Sequence, residues 1–168
     1  MNTSDLLQDA FGRIREQGHS VVEGLSPDQL NSRVDGVANS ITWLLWHLAR
    51  VQDDHVAEVA GTEQAWTAGG WAGRFELPFE AADTGYGHSS EQVQQVRVDT
   101  SDLLTGYLDD VVERTLGFVR GLSDDDLDRV VDERWDPPVT LGVRLVSVIG
   151  DDLQHLGQAA FAKGLLGS

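Results

Sequence analysis

The sequence predicts an all-α protein, a four-helix bundle with a long aromatic-rich connection between the second and third helices. Four segments carry apolar residues three or four positions apart, the pattern of helices that bury one face. The heptapeptide Gly24–Leu30 also resembles Gly121–Leu127, and each copy follows one such segment and precedes another. This repeated unit predicts a bundle built from two similar helix pairs.

Length and charge limit the function classes. The chain has 168 residues, which predicts a single domain over 1–168. Its formal net charge of −16 predicts that it binds neither nucleic acid nor anionic membranes, because like charges repel. No apolar run approaches the roughly 18 residues of a membrane span, and the N-terminus lacks a signal-peptide pattern. We therefore expect a cytoplasmic protein.

The sequence contains no cysteine. This composition excludes disulfides, thiolate metal ligands and a cysteine nucleophile. Any sulfur chemistry must therefore use a thiol that a substrate brings.

The first two helices have clear boundary signals. Apolar spacing predicts a helix over Ser4–Glu23, and Ser26 opens a short turn after it. Ser40 is the expected N-cap of the second helix, Ile41–Ala60, whose first half is apolar on nearly all sides. His47 lies in this apolar half and His55 in the polar half, so His55 is not expected to bind a metal.

Residues 61–90 show no helical period but contain several aromatic residues and glycines. Irregular segments of this length are uncommon inside a compact domain and are usually functional. We expect a packed cover over one end of the bundle that contains a short helical turn. Its loop residue His88 either reaches the mouth of a site or has a structural role. Arg50 and Arg144, on the flanking helices, are expected at the surface.

The second half of the chain contains the other two helices. Thr100 is expected to begin a helix over Ser101–Arg120, and Trp135–Pro138 breaks the chain before the last one. That helix is expected over Thr140–Lys163, with Gly164 ending it.

The last helix carries a candidate site. Asp151 and His155 are four residues apart, so they lie on one face about 6 Å apart along the axis. We expect Leu145, Val148 and Ala159 on the same stripe, where polar groups need partners. Asp152 points about 100° away and is a less suitable ligand.

If the helix pairs are related by a pseudo-twofold axis, His47 faces Asp151 and His155. Two imidazoles and a carboxylate suit zinc, nickel, iron or manganese. The alternative is a core histidine that pairs with a nearby carboxylate.

Two motifs resemble a known family. The runs Trp43–Val51 and Asp151–Gln158 resemble the first and last metal-binding helices of the DinB-like superfamily. The segments Ala38–Trp43, Val51–Val56 and Thr84–His88 are similar to the mycothiol S-transferase branch, which is related to mycothiol-dependent maleylpyruvate isomerase. The resemblance covers essentially the whole chain and implies a bundle of DinB type.

The resemblance implies that His47, Asp151 and His155 bind a divalent metal, with zinc as the first expectation. The superfamily usually has histidine or glutamate where this chain has Asp151. The implied activity is transfer of a low-molecular-weight thiol, with mycothiol expected, to electrophilic small molecules in detoxification. A metal-bound thiol loses its proton and becomes the nucleophilic thiolate.

The resemblance also suggests residues that support the ligands, and it allows other activities. The candidates for residues that support the ligands are Asp54, Gln158 and His88. The alternatives are a thiol-dependent isomerase, a metal hydrolase of the same superfamily, and a non-catalytic stress-associated metal-binding bundle. The resemblance also allows a homodimer.

Overall fold

The computed structural model describes residues 1–166 and is mostly helical, which confirms the all-α fold class. Within this range the α-helices are α1 (Thr3–Val22), α2 (Pro27–Asn31), α3 (Ile41–Ala60), α4 (Ala65–Ala68), α5 (Trp71–Phe75), α6 (Ser90–Gln95), α7 (Ser101–Arg120) and α8 (Leu141–Leu166). Short 3-10 turns occupy Val34–Gly36 and Asp125–Asp128. Strands β1 (Val130–Asp132) and β2 (Val139–Thr140) form a small antiparallel pair.

The four long helices form the bundle. α1 packs against α7 and α8, and α3 packs against the same two helices. On α3, His47 lies beside His155 of α8, whereas His55 lies beside Arg144, so these two helices run antiparallel. Apolar side chains from all four helices fill the core between them. The α3–α8 interface is therefore the groove in which the predicted site residues can meet.

The predicted helix starts are confirmed by their capping bonds. Backbone N–H groups donate to the side chains of Ser26 and Ser40, which cap α2 and α3. Thr100 caps α7 in the same way, and Ser89 caps α6. Each cap satisfies a backbone donor that the first helical turn leaves free.

The connection between α3 and α7 is more ordered than the sequence indicates, because it contains α4, α5 and α6. Asp53 holds α4 in place by accepting the backbone N–H groups of Ala65 and Trp66, both at 2.8 Å. The hydroxyl of Tyr107 donates to the same carboxylate at 2.9 Å. Burial raises the pKa of Asp53, and these donors oppose that effect.

The surface position expected for Arg50 is wrong, because its side chain is fully buried. Its guanidinium donates to the carbonyl oxygens of Ala81 and Asp83 and to the side chains of Gln64 and Tyr107. A buried guanidinium needs several acceptors. The irregular segment supplies three of them, the carbonyls of Ala81 and Asp83 and the amide oxygen of Gln64, so Arg50 ties this segment to α3.

The end of the chain also differs from expectation. α8 continues through Gly164 to Leu166, because the ammonium group of Lys163 donates to the carbonyl oxygens of Ser20 and Glu23 and fixes the last turns against α1. A helical glycine costs only about 1 kcal/mol, which this contact and the burial of Ala162 can offset. The short β1–β2 pair was not predicted. None of the described helices combines the length and apolarity needed to cross a bilayer.

Candidate metal centre

Three side chains meet in the α3–α8 groove. Nε2 of His155 lies 3.6 Å from Oδ1 of Asp151, one helical turn earlier. The imidazole centroids of His47 and His155 are 4.9 Å apart. One possible ligand atom from each of the three residues lies within 4.8 Å of the others. Helices that are far apart in sequence therefore bring the predicted trio within reach of one cation.

Hydrogen bonds fix the tautomers of both imidazoles. Nδ1 of His47 lies 2.6 Å from the carbonyl oxygen of Thr84, so Nδ1–H donates. Nδ1 of His155 lies 3.0 Å from Oε1 of Gln158 and donates in the same way. In a neutral imidazole this arrangement leaves Nε2 with a free lone pair. Each ring is therefore in the tautomer that binds a metal through Nε2.

Burial supports the neutral form of the first imidazole. The His47 residue is 6% exposed, and burial lowers its pKa, although the carbonyl of Thr84 partly opposes this shift. Asp151 is partly exposed, but its Oδ2 atom is buried and has no hydrogen-bond partner in the described structure. A buried carboxylate oxygen without a donor is costly unless a cation is nearby. This chemistry fits a divalent metal.

The ring of His47 is clamped between α3 and the irregular segment. The indole of Trp43 stacks on it with a centroid distance of 4.4 Å and an interplanar angle of 15°. On the loop side, Gly85 has a φ of +88°, and a Cβ atom there would lie 2.9 Å from Nδ1 of His47. The same Cβ would lie 2.8 Å from the ring of Trp46. Position 85 therefore needs glycine for both its backbone conformation and its contact with His47.

His88 has the structural role rather than a position at the mouth of the site. Its imidazole is 3% exposed, and Nδ1 accepts the indole N–H of Trp43 at 3.1 Å. Its Nε2–H donates to Asp83 at 3.1 Å. Because both nitrogens are used, His88 is not a free ligand. It holds Trp43, which in turn packs on His47.

The other two candidate support residues differ in their contacts. Gln158 bonds directly to His155, as described above. Asp54 instead accepts a hydrogen bond from the amide of Gln64 at 2.8 Å. Sequence reasoning missed Thr84 and Gly85 as contacts of His47. Their signals were the glycine-rich stretch in the irregular segment and the resemblance of Thr84–His88 to the family branch, and neither of these points to a contact with His47.

The buried stripe of α8 belongs to Asp152 rather than to Asp151, which corrects the expected placement. Asp152 is fully buried, and within residues 1–166 neither of its carboxylate oxygens has a hydrogen-bond partner. Burial raises its pKa well above the usual range. It occupies the core face of α8, together with Leu145, Val148, Leu156 and Ala159. Asp151, one position along, is thereby turned toward α3.

A charged cluster lies further along the same groove. Arg144 is nearly buried, not at the surface as expected, and donates to Nδ1 of His55 at 2.7 Å. Its guanidinium also pairs with Glu58 at 3.4 Å and Asp132 at 3.3 Å. Burial, and secondarily the charge of Arg144, lowers the pKa of His55. His55 is therefore held neutral as an acceptor and is separate from the three candidate ligands.

Comparisons with known proteins agree with this architecture. The family model of the DinB superfamily matches residues 10–159. A conserved protein from Enterococcus faecalis with a known crystal structure is similar over nearly the full length of both chains. The two share 30% sequence identity with a TM-score of 0.91, and the match covers 99% of this chain and 98% of that one. None of the curated proteins compared with the sequence matches it.

Proposed function

Because this chain belongs to the DinB superfamily, we propose that His47, Asp151 and His155 bind a divalent metal that activates a low-molecular-weight thiol for transfer to an electrophile. The observation that carries the proposal is the convergence of the three side chains, with one ligand atom from each within 4.8 Å of the others. Two Nε2 lone pairs and a carboxylate would leave coordination positions open, as catalytic sites require.

The family resemblance makes zinc the first expectation, and two imidazoles with a carboxylate suit nickel, iron and manganese as well. A bound divalent ion would lower the pKa of a coordinated thiol and supply a thiolate at neutral pH. The new bond joins the sulfur to the electrophilic atom, the leaving group departs with its electron pair, and the thiol proton passes to solvent.

The residues of the chain itself orient and protect this site. Thr84 and Gln158 hold the two imidazoles in the required tautomer. Trp43 packs over His47 and excludes water from that side. Because the sequence has no cysteine, no protein thiol competes for the metal or the electrophile. The similarity of Thr84–His88 to the mycothiol S-transferase branch makes mycothiol the expected thiol, and detoxification the expected role.

The test measures metal content and turnover on one preparation of untagged protein. We expect about one metal ion per chain, and turnover of a model electrophile with mycothiol that exceeds turnover with glutathione or without thiol. His155→Ala should lose both metal and turnover. His19→Ala is the control, because His19 is exposed and pairs with Asp109, outside the groove. Metal binding that survives both His47→Ala and His155→Ala would overturn the site, and turnover that does not need a thiol would overturn the reaction.

A further inference from the structure

A pocket of about 400 Å³ adjoins the candidate metal centre. It lies where the start of α3 meets the end of α8, and nine residues line it: Val34, Val37, Ala38, Asn39, Leu44, Gln158, Phe161, Ala162 and Leu165. Leu44 precedes His47 by one helical turn on α3. The volume lies within the roughly 300–1,000 Å³ typical of small-molecule sites.

The walls of this pocket are uncharged and mostly apolar, with Asn39 and Gln158 as the polar side chains. Charged residues make up 24% of the chain, whose net charge is −16, yet none of the nine lining residues is charged. Leu44 and Ala162 form a buried floor, whereas Val37 and Phe161 are more than two-thirds exposed at the rim. Large apolar side chains exposed around a concavity favour a ligand that removes them from water. A neutral organic molecule fits these walls better than an ion does.

One wall is held in place before any ligand binds. The guanidinium of Arg33 donates to the carbonyl oxygen of Ala38 at 2.7 Å and to that of Val37 at 2.8 Å. It also donates to the carbonyl oxygen of Ser90 at 2.9 Å. These bonds fix the loop that faces α8. The pocket is therefore largely preformed, which lowers the entropic cost of binding.

Gln158 connects the pocket to the metal centre. Its Oε1 accepts the hydrogen bond from His155 and its side chain lines the pocket. In the part of the chain that the structure describes, the NH₂ group of this amide has no protein acceptor. A ligand in the pocket with a carbonyl or ether oxygen can accept from it. Because Gln158 meets Nδ1 of His155 and the metal-binding lone pair is on Nε2, the Gln158 side chain and the His155 ring separate the pocket from the metal position. A molecule bound there would have to extend past this ring to meet a metal-bound thiol.

We propose that this pocket binds the electrophilic substrate, a neutral molecule with an apolar body and a hydrogen-bond acceptor that the Gln158 amide recognises. The role of the ligand as electrophile rests on the proposed function, but its binding does not. Binding to the metal-free protein without thiol therefore tests the pocket separately from the reaction.

The probe is prodan, a neutral naphthyl ketone whose fluorescence reports the polarity of its surroundings, titrated into metal-free protein. We expect saturable binding to the wild type. Ala38→Phe fills the pocket and should raise the Kd at least about tenfold. Ala160→Phe is the matched control, because it introduces the same side chain at an exposed position of α8 outside the pocket. Its Kd should stay within about twofold of the wild type.

Two further variants keep the test decisive. Phe161→Asp places a charge on an exposed rim position, where it cannot disrupt the core, and should also weaken prodan binding at least fivefold. Gln158→Leu should weaken prodan about threefold to tenfold but leave naphthalene, which has no acceptor, unchanged in a competition assay. Equal prodan binding by Ala38→Phe, Phe161→Asp and Ala160→Phe, or no binding by the wild type, would overturn the proposal.

Discussion

Substituting Gly85 by alanine tests the contact between the irregular segment and the candidate metal centre. A non-glycine residue at the φ of +88° costs about 1–2 kcal/mol. The new Cβ would also lie 2.9 Å from Nδ1 of His47 and 2.8 Å from the ring of Trp46. Overpacking of this kind costs about 1–3 kcal/mol. We therefore expect Gly85→Ala to lower the free energy of unfolding by about 2–5 kcal/mol.

Gly87→Ala separates the two contributions. Gly87 also has a positive φ, of +75°, but a Cβ there would have nothing within 4 Å. The Gly87→Ala variant should therefore show only the cost of the positive φ, a decrease of about 1–2 kcal/mol in the free energy of unfolding. Urea unfolding of the metal-free variants measures both changes, and the difference between them isolates the contact with His47 and Trp46.

The same pair of variants links the segment to metal binding. The new methyl group pushes the Thr84 carbonyl away from His47, and loss of such a supporting hydrogen bond typically lowers metal affinity about 10–100-fold. We expect this loss of zinc affinity in Gly85→Ala and not in Gly87→Ala, measured by competition with a chromophoric chelator. Equal stability and equal zinc affinity in the two variants would refute the inferred role of Gly85.

Three more substitutions probe polar groups that are buried or half-buried. Burial and the charge of Arg144 lower the pKa of His55 in the folded protein. The unfolded chain therefore binds a proton at His55 more readily than the folded protein does, and the folded state loses stability as the pH falls below the unfolded pKa of 6.5. Urea unfolding of metal-free His55→Gln should therefore show a weaker loss of stability between about pH 7 and pH 5 than the wild type, and an identical pH profile would contradict this. Asp53→Ala leaves two backbone N–H groups and the Tyr107 hydroxyl without their acceptor, so we expect a loss of about 3 kcal/mol in the same assay, with Asp54→Ala as a milder control. Asp152→Leu replaces an unpartnered buried carboxyl by an apolar group of similar shape, so it should raise the free energy of unfolding by about 1–3 kcal/mol. A lower free energy of unfolding would mean that the carboxylate oxygens of Asp152 have partners.

Local signals in the sequence predict most of the bundle. Ser26, Ser40 and Thr100 start the expected helices because capping depends on residues within one turn. The pairing of Asp151 with His155 is equally local, since helical geometry alone places them on one face. The position of His47 opposite that pair is a long-range property. It could be predicted only through the internal repeat and the family resemblance.

Other features depend on contacts that no local pattern encodes. Gly164 is a typical signal for the end of a helix, but Lys163 donates hydrogen bonds to carbonyl oxygens at the end of α1 and the helix continues. Arginine is usually a surface residue, yet Arg50 is buried because the irregular segment offers it carbonyl acceptors. Burial of an arginine depends on where such acceptors lie in space, and spacing along the chain does not reveal this.

The irregular segment is needed because a helical bundle cannot orient its own core histidine through the backbone. Inside a helix each carbonyl already accepts the N–H four residues later, so none is free to hold an imidazole. The carbonyl of Thr84 is available because residues 76–88 lack a continuous helix. Arg50 uses the carbonyls of Ala81 and Asp83 from the same stretch and so fixes the position of Thr84 relative to α3. Arg50→Lys keeps the charge but loses the fork of donors, so it should weaken zinc binding without removing any ligand. Unchanged zinc affinity in a folded Arg50→Lys variant, measured by chelator competition, would show that the segment holds His47 by other means.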